Sequence, residues 1–319
     1  MIEAAYPMWT IHPQLQNGEL FESWIVRLSA ENGVPVNTVV EQLGLGNIFG
    51  SVDNISSTVV QKLGLATGMP TQIILESHLG WYEDQKGLAF TTPFTSFGRN
   101  KTASAREFRV CPECLAEQSK PHILLTWALE ITYFCRNHYQ PLIDSCPECQ
   151  RPFSFDSRPG QSFLPEKCHH CGTSLKYRRR NHGIDFRHVV EFQSFLMNLK
   201  CLERVTFREC RIISGQTFVQ IVQRILGCLA NVPNQQTFLK KLPSPFQNEI
   251  DLLDDRLSES HRRVNAFLIC AWIVTDPCTR IPILQNYTRK HVEYAMAIKI
   301  IAMLNRTLEV LQIGKRSGL

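Results

Sequence analysis

Apolar residues recur at three- and four-residue intervals along much of the chain, the spacing of an amphipathic helix. Leu20, Trp24 and Leu28 mark such a stripe over Glu19 to Glu31, and Asn32-Gly33 supplies the stop. Pro35 opens a second short helix that runs to Leu43 before Gly44. Ser57 and Thr71 are caps for two more. Short helices joined by glycine-containing turns predict a helix-turn-helix-like domain over residues 1–107, although any small helical bundle makes the same pattern. Residues 87–110, rich in Gly, Thr, Pro and Ser and punctuated by Arg99, Lys101, Arg106 and Arg109, read as an irregular connection. Within the module that this connection enters, Ile123 to Ile131 is apolar and contains Trp127, expected to pack over the first knuckle as a core side chain rather than a base-stacking platform. Beyond residue 183, helical spacing returns over His188–Cys201, Thr217–Ala230, His261–Thr275 and Arg289–Leu311. The expected class is mainly α, with an N-terminal helical domain (1–107), a central module (108–182) and a C-terminal helical domain (183–319).

The composition agrees with a soluble globular protein: 319 residues, 44% hydrophobic and 20% charged. The longest apolar run, Ala266 to Val274, is far shorter than the about 20 residues of a membrane span. Met1 to Pro13 has no basic head followed by an apolar stretch, so no secretory signal is expected and the compartment is taken as the bacterial cytoplasm. The net charge of +5 permits a nucleic-acid partner without demanding one. Its distribution is uneven. Residues 1–108 carry six Lys or Arg against ten Asp or Glu, whereas residues 183–319 carry eighteen against twelve. The densest basic run is Lys176-Tyr177-Arg178-Arg179-Arg180-Asn181-His182. It is either a solvated surface or a phosphate-binding strip, since arginine offers a planar donor fork. Arg178, Arg179 and Arg180, with Arg262 and Arg263, are the candidate nucleic-acid contacts.

Cysteine placement changes the picture most. Of twelve cysteines none precedes Cys111, seven lie between Cys111 and Cys171, and five are scattered: Cys201, Cys210, Cys228, Cys270 and Cys278. The scattered five have no partner at ligand spacing and read as small buried hydrophobes. The clustered ones pair two by two: Cys111-Pro-Glu-Cys114 with Cys135-Arg-Asn-His138, and Cys146-Pro-Glu-Cys149 with Cys168-His-His-Cys171. Two residues between ligands make a tight turn that aims both donors at one point, and a second such turn completes a tetrahedron around Zn²⁺. Pro112 and Pro147 help to set the turn, and the repeated Cys-Pro-Glu-Cys is expected to be one knuckle used twice. His169 and His170 leave open whether a histidine replaces a flanking cysteine. Four protein ligands leave no open position, so the two expected zinc ions are structural. Filling both sites would lower the net charge to about +2.

Chemistry beyond metal binding has little support. There is no glycine-rich phosphate loop, no GxGxxG opening a helix, no GxSxG elbow and no HExxH. Asp254-Asp255 sits in a polar stretch and reads as surface charge. A zinc-dependent nuclease of the HNH kind is prompted by His169-His170 but lacks the further metal-binding residue it needs. The expectation is a protein that is not an enzyme.

With these residues assembled, the chain resembles the TniQ family of bacterial transposition proteins. The resemblance begins at Glu22-Ser-Trp24-Ile-Val-Arg27-Leu28-Ser-Ala30-Glu-Asn32-Gly33. It continues at Arg109-Val-Cys111-Pro-Glu-Cys114-Leu115-Ala116-Glu117, at Trp127, and at Cys135-Arg-Asn-His138 with Pro141-Leu142. Cys146-Pro-Glu-Cys149 and Cys168-His-His-Cys171-Gly172 match the family's double zinc module. Arg262-Arg263, Ala271-Trp272-Ile273 and Pro277 resemble its C-terminal helices more weakly. The resemblance implies a targeting adaptor that breaks no bond. It links a target, either a CRISPR RNA-guided effector complex of the Cascade type or DNA read directly, to an AAA+ ATPase regulator of the TnsC type and a transposase. The length of the chain favours the RNA-guided form, docked on the effector complex with a homodimer allowed. The alternative is a direct sequence-specific DNA-binding protein, either a TnsD-like attachment-site selector or a transcription regulator.

Overall fold

The structure, a computed structural model, describes residues 10–45, 55–86, 108–129, 131–155, 164–178, 186–199, 202–206, 212–230 and 259–275. It divides into two compact units, Met1–Asn181 and His182–Leu319. The described residues are mainly helical.

The first unit opens with α1 (Phe21–Glu31), α2 (Val36–Leu43), α3 (Ser57–Thr67), α4 (Thr71–Glu76) and α5 (Leu79–Lys86), each packed on the next except α5, which closes the series. The expected stops hold. The N–H of Gly33 meets the carbonyl of Ala30, and Gly44 ends α2 in the left-handed region at φ 63°, where glycine has no Cβ penalty. The caps move. The Ser56 hydroxyl, not that of Ser57, accepts the Val59 N–H at 3.3 Å, and Thr71 is the first helical residue after Pro70.

α1 is buried over Phe21–Ser29, polar residues included, because a strap over residues 10–20 lies against it. Trp24 donates its indole N–H to the Pro13 carbonyl at 2.8 Å, and Arg27 reaches the Gln14 carbonyl at 3.0 Å. Asn32 exchanges two hydrogen bonds with the Ile11 backbone and also donates to the Leu28 carbonyl. Its side chain thus ends the helix and pins the strap. The seam expected near residue 107 is bridged: Leu20 N–H meets the Ile123 carbonyl, Leu125 N–H meets the Gly18 carbonyl, and Ser23 Oγ accepts the Ile123 N–H at 2.9 Å. Trp127 lies on a one-turn 3-10 helix, Leu125–Ala128, and is 2% exposed, a core side chain as expected. The connection over 87–107 lies outside the described residues.

The second unit holds α7 (Arg187–Asn198), strands β1 (Arg204–Thr206) and β2 (Ile212–Ser214), α8 (Gly215–Ala230) and α9 (Glu259–Thr275); α6 (Pro112–Glu117) belongs to the first. The antiparallel β1–β2 ribbon pairs Arg204 with Ser214 and Thr206 with Ile212 and packs on α8. Helical spacing did not announce it. Three-residue strands are too short to show alternation, and only the β-branched Val205-Thr206 and Ile212-Ile213 hint at it. α9 packs on α7 and α8 and is buried at every position from Val264 to Val274, where Asn265 is the one polar residue, so this stretch is enclosed all round rather than striped. Cys270 lies fully inside it, so burial pushes its thiol up, as expected of a cysteine that packs as a hydrophobe. The helix expected over Arg289–Leu311 lies outside the described residues, as do Cys201, Cys210 and Cys278 and the side chain of Cys228.

Candidate metal centres

Two groups of donors converge in the first unit: Cys111, Cys114, Cys135 and His138, and then Cys146, Cys149, Cys168 and Cys171. Within each group the ligand atoms all lie within 4.8 Å of one another. These are the eight residues the spacing singled out.

Three of the four pairs share one backbone course. The N–H of the fifth residue bonds the carbonyl of the first: Tyr139 to Cys135 at 2.9 Å, Gln150 to Cys146 at 2.9 Å, Gly172 to Cys168 at 2.8 Å. The first cysteine's N–H is then met by the next carbonyl, from Gln140, Arg151 and Thr173 at 2.8, 2.9 and 2.9 Å. Closing the loop so tightly forces the fifth residue into the left-handed region, with φ of 51° at Tyr139, 60° at Gln150 and 75° at Gly172. Only the last is glycine. Isolated antiparallel bridges beside these turns, Phe134 to Pro141, Ser145 to Pro152 and Lys167 to Ser174, make each one the tip of a minimal ribbon.

The fourth pair departs from the expectation of one repeated knuckle. Cys111 is the N-cap of α6, with Pro112 in the first helical turn. Leu115 N–H bonds the Cys111 carbonyl at 3.0 Å, as in a knuckle, but the helix then continues to Glu117 and no left-handed residue follows. The first centre therefore joins a helix start to a knuckle, and the second joins two knuckles.

The distances suit zinc. Around a tetrahedral ion with Zn–S near 2.3 Å and Zn–N near 2.05 Å, sulfurs sit about 3.8 Å apart and sulfur to nitrogen about 3.6 Å. In the first centre Cys114 Sγ lies 3.5 Å from Cys135 Sγ, and His138 Nδ1 lies 3.4, 3.2 and 3.5 Å from the sulfurs of Cys111, Cys114 and Cys135. In the second, Cys146 and Cys171 are 3.6 Å apart and Cys149 and Cys168 3.7 Å. The cysteines are free thiols, not disulfides. Both donor sets can hold a zinc ion. His169 and His170 stand outside the second set. Their ring centroids are 3.8 Å apart with the planes tilted by 42°, and His170 Nδ1 lies 3.4 Å from the Arg151 guanidinium.

The sulfurs within each set differ in charge preference. Hydrogen bonds from Cys114 and Cys135 hold the Cys111 thiol far below the usual range, and Thr173, through its hydroxyl and its backbone, brings Cys171 down to about 6. The neighbouring sulfurs move the other way: Cys114 and Cys135 are raised mainly by their hydrogen bonds to the Cys111 thiolate, and Cys146 and Cys168 mainly by burial, so each set favours one thiolate and resists gathering several without a cation to balance them. Burial opposes the charging of His138, but Glu117 and the Cys111 thiolate outweigh it and raise the ring.

Of the candidate nucleic-acid contacts, Arg178 is exposed on the irregular segment leaving the second centre. Arg179 and Arg180 lie outside the described residues. Arg262 and Arg263 fall on α9, but their side chains lie outside what is described. No described helix is long and apolar enough to cross a membrane.

A mainly helical protein with two tandem thiol-rich metal centres is thereby defined. The TniQ family model matches residues 10–142, from the strap over α1 through the first centre, and supports membership of the TniQ family. The match stops before Cys146, so the second centre lies outside it. The match implies a transposition-associated targeting protein. No curated protein gives a match to the sequence.

Proposed function

We propose that the chain is a non-catalytic targeting adaptor of a bacterial transposition system. In this reading it couples target recognition, by an RNA-guided effector complex, to recruitment of an AAA+ ATPase regulator and through it the transposase. The observation that carries it is the TniQ match running unbroken through α1 and the first metal centre. Cys111, Cys114, Cys135 and His138 hold one zinc ion; Cys146, Cys149, Cys168 and Cys171 hold the other. Zinc supplies cross-linking here, since four protein donors leave no position for a reacting water. The strap, α1 and residues 123–125 share hydrogen bonds, so the ion stiffens the same unit that holds the helices. The rigid unit is the platform that partners bind. The test is a pull-down of the cognate ATPase by the zinc-loaded protein, with and without effector complex and DNA. Retention supports the adaptor, and absence under every condition overturns it.

A second reading, direct DNA binding, draws on exposed Lys176 and Arg178 beside the second centre. Binding to one preferred duplex with affinity falling steeply as salt rises would favour it.

A further inference from the structure

The first centre contains a histidine whose second ring nitrogen is also held. His138 Nδ1 faces the three sulfurs at 3.2 to 3.5 Å, while Nε2 lies 3.0 Å from Glu117 Oε2. Glu113 Oε2 stands further off, at 3.8 Å. Glu117 is the last residue of α6, the helix that Cys111 caps and that contains Cys114. One short helix therefore delivers two sulfur donors to the site and a carboxylate to the back of the third element's donor. With Nδ1 directed at the ion, Nε2 must carry the proton, and a carboxylate is the acceptor that fixes that tautomer. The second centre has four sulfurs and no counterpart; its flanking groups are Arg151, His169 and His170.

We propose that Glu117 is a positioning residue of the first zinc site: it accepts a hydrogen bond from His138 Nε2–H, locks the ring with Nδ1 towards the metal, and so sets the affinity of this site alone. His138 sits at a partly exposed knuckle tip, between Asn137 and Tyr139, which are both exposed, and Glu117 is the nearer of the two carboxylates that face its Nε2. The carboxylate holds the ring before the metal arrives and adds negative charge near the ion. Loss of such an outer partner typically weakens metal binding by about 10- to 100-fold. Glu117 is itself 60% exposed, so the lower end of that range applies here.

The inference rests on zinc occupying the first centre, and the experiment separates the two claims. Zinc stoichiometry and competition against a chromophoric chelator are measured on the full chain as wild type, Glu117→Ala and Glu117→Gln, alongside ¹⁵N-imidazole spectra of zinc-loaded protein. Wild type is expected to bind two ions. Glu117→Ala should bind one of them about 10-fold more weakly. It should also show faster solvent exchange of the His138 Nε2–H, with the other site unmoved. Glu117→Gln, which keeps an acceptor, should recover most of the affinity and the protected Nε2–H. A wild type that takes up no zinc at the first site overturns the underlying reading. Two zinc ions held as tightly in Glu117→Ala as in wild type, a loss shared equally by both sites, or a Glu117→Gln as weak as Glu117→Ala would each overturn the role of Glu117.

Discussion

The tetrapeptide Cys-Pro-Glu-Cys occurs at 111–114 and at 146–149 and follows two courses. Both copies make the same first turn, with a fifth-residue N–H on the first cysteine's carbonyl at 3.0 and 2.9 Å. After Cys114 come Leu115-Ala116-Glu117, good helix formers, and Leu115 is fully buried, so the turn becomes α6. After Cys149 come Gln150-Arg151-Pro152. Proline disfavours the α region at the residue before it, and Pro152 is pinned opposite Ser145, so Gln150 bends into the left-handed region and the chain returns. The ligand spacing sets where the sulfurs point, and the residues beyond it decide what the turn becomes.

The same division separates the two centres. Cys111, Cys114 and Cys135 are buried, as are their chain neighbours Val110, Leu115 and Phe134, and Ile123 nearby is hydrogen-bonded to α1. Cys149 is half-buried and Cys171 exposed. The largest expected effect therefore lies in ligand removal. Cys114→Ser should lose the first zinc and most helical circular dichroism of the first unit, since the binding free energy of about 10–16 kcal/mol of a structural zinc is lost from folding. Cys171→Ser should drop zinc from two ions to one and leave the helical signal in place. Equal damage from both would remove the asymmetry.

Next in size is the residue after each tetrapeptide. Leu115→Ala should cost about 2–5 kcal/mol in urea unfolding, as a fully buried leucine does. Gln150→Ala, at an exposed position, should stay within about 0.5 kcal/mol.

A third test concerns the buried polar link between α1 and the region of the first centre. Glu19 is buried and accepts hydrogen bonds from Ser23, Arg27 and the Gln16 N–H. Burial outweighs the Arg27 guanidinium and those hydrogen bonds, raising its carboxyl from 4.5 to about 7. A raised acid means that the folded chain keeps a proton the unfolded chain releases. The contribution is then full below pH 4.5 and is lost as pH rises to about 7, with a slope of up to about 1.4 kcal/mol per pH unit. Unfolding of wild type and Glu19→Gln at several pH values isolates this, because zinc ligation is common to both. Parallel curves across that window would show that the folded chain leaves the Glu19 carboxyl at its ordinary value.

A small effect of opposite sign is expected at the knuckle bend. Gln150→Gly relieves φ 60° and should raise stability by about 0.5–1 kcal/mol, read as a higher Tm, whereas Leu115→Gly should lower it.

Much of the first unit was legible because its signals are local. A stripe such as Leu20, Trp24 and Leu28, a stop such as Asn32-Gly33, and cysteines two residues apart each act within a few positions of chain. The eight donors could be paired from spacing alone, since a knuckle is a five-residue object. What the family-like residues of α1 do was not legible. Ser23, Trp24, Arg27 and Asn32 look like one polar-edged helix face in sequence, yet they clamp the strap and residue 123, partners up to 100 positions away. Ser56 in place of Ser57 as a cap is a one-residue shift of the kind that helix ends allow.

The residue types and their intervals were thus enough for a mainly helical chain with two tetrahedral donor sets, because turn geometry and helical periodicity are short-range. Only tertiary structure decided that one Cys-Pro-Glu-Cys extends as a helix and the other folds back, that α9 is enclosed on every described side, and that Glu117 meets the far nitrogen of His138. Each of those outcomes depends on what the rest of the chain places opposite a residue, and sequence distance carries no record of that.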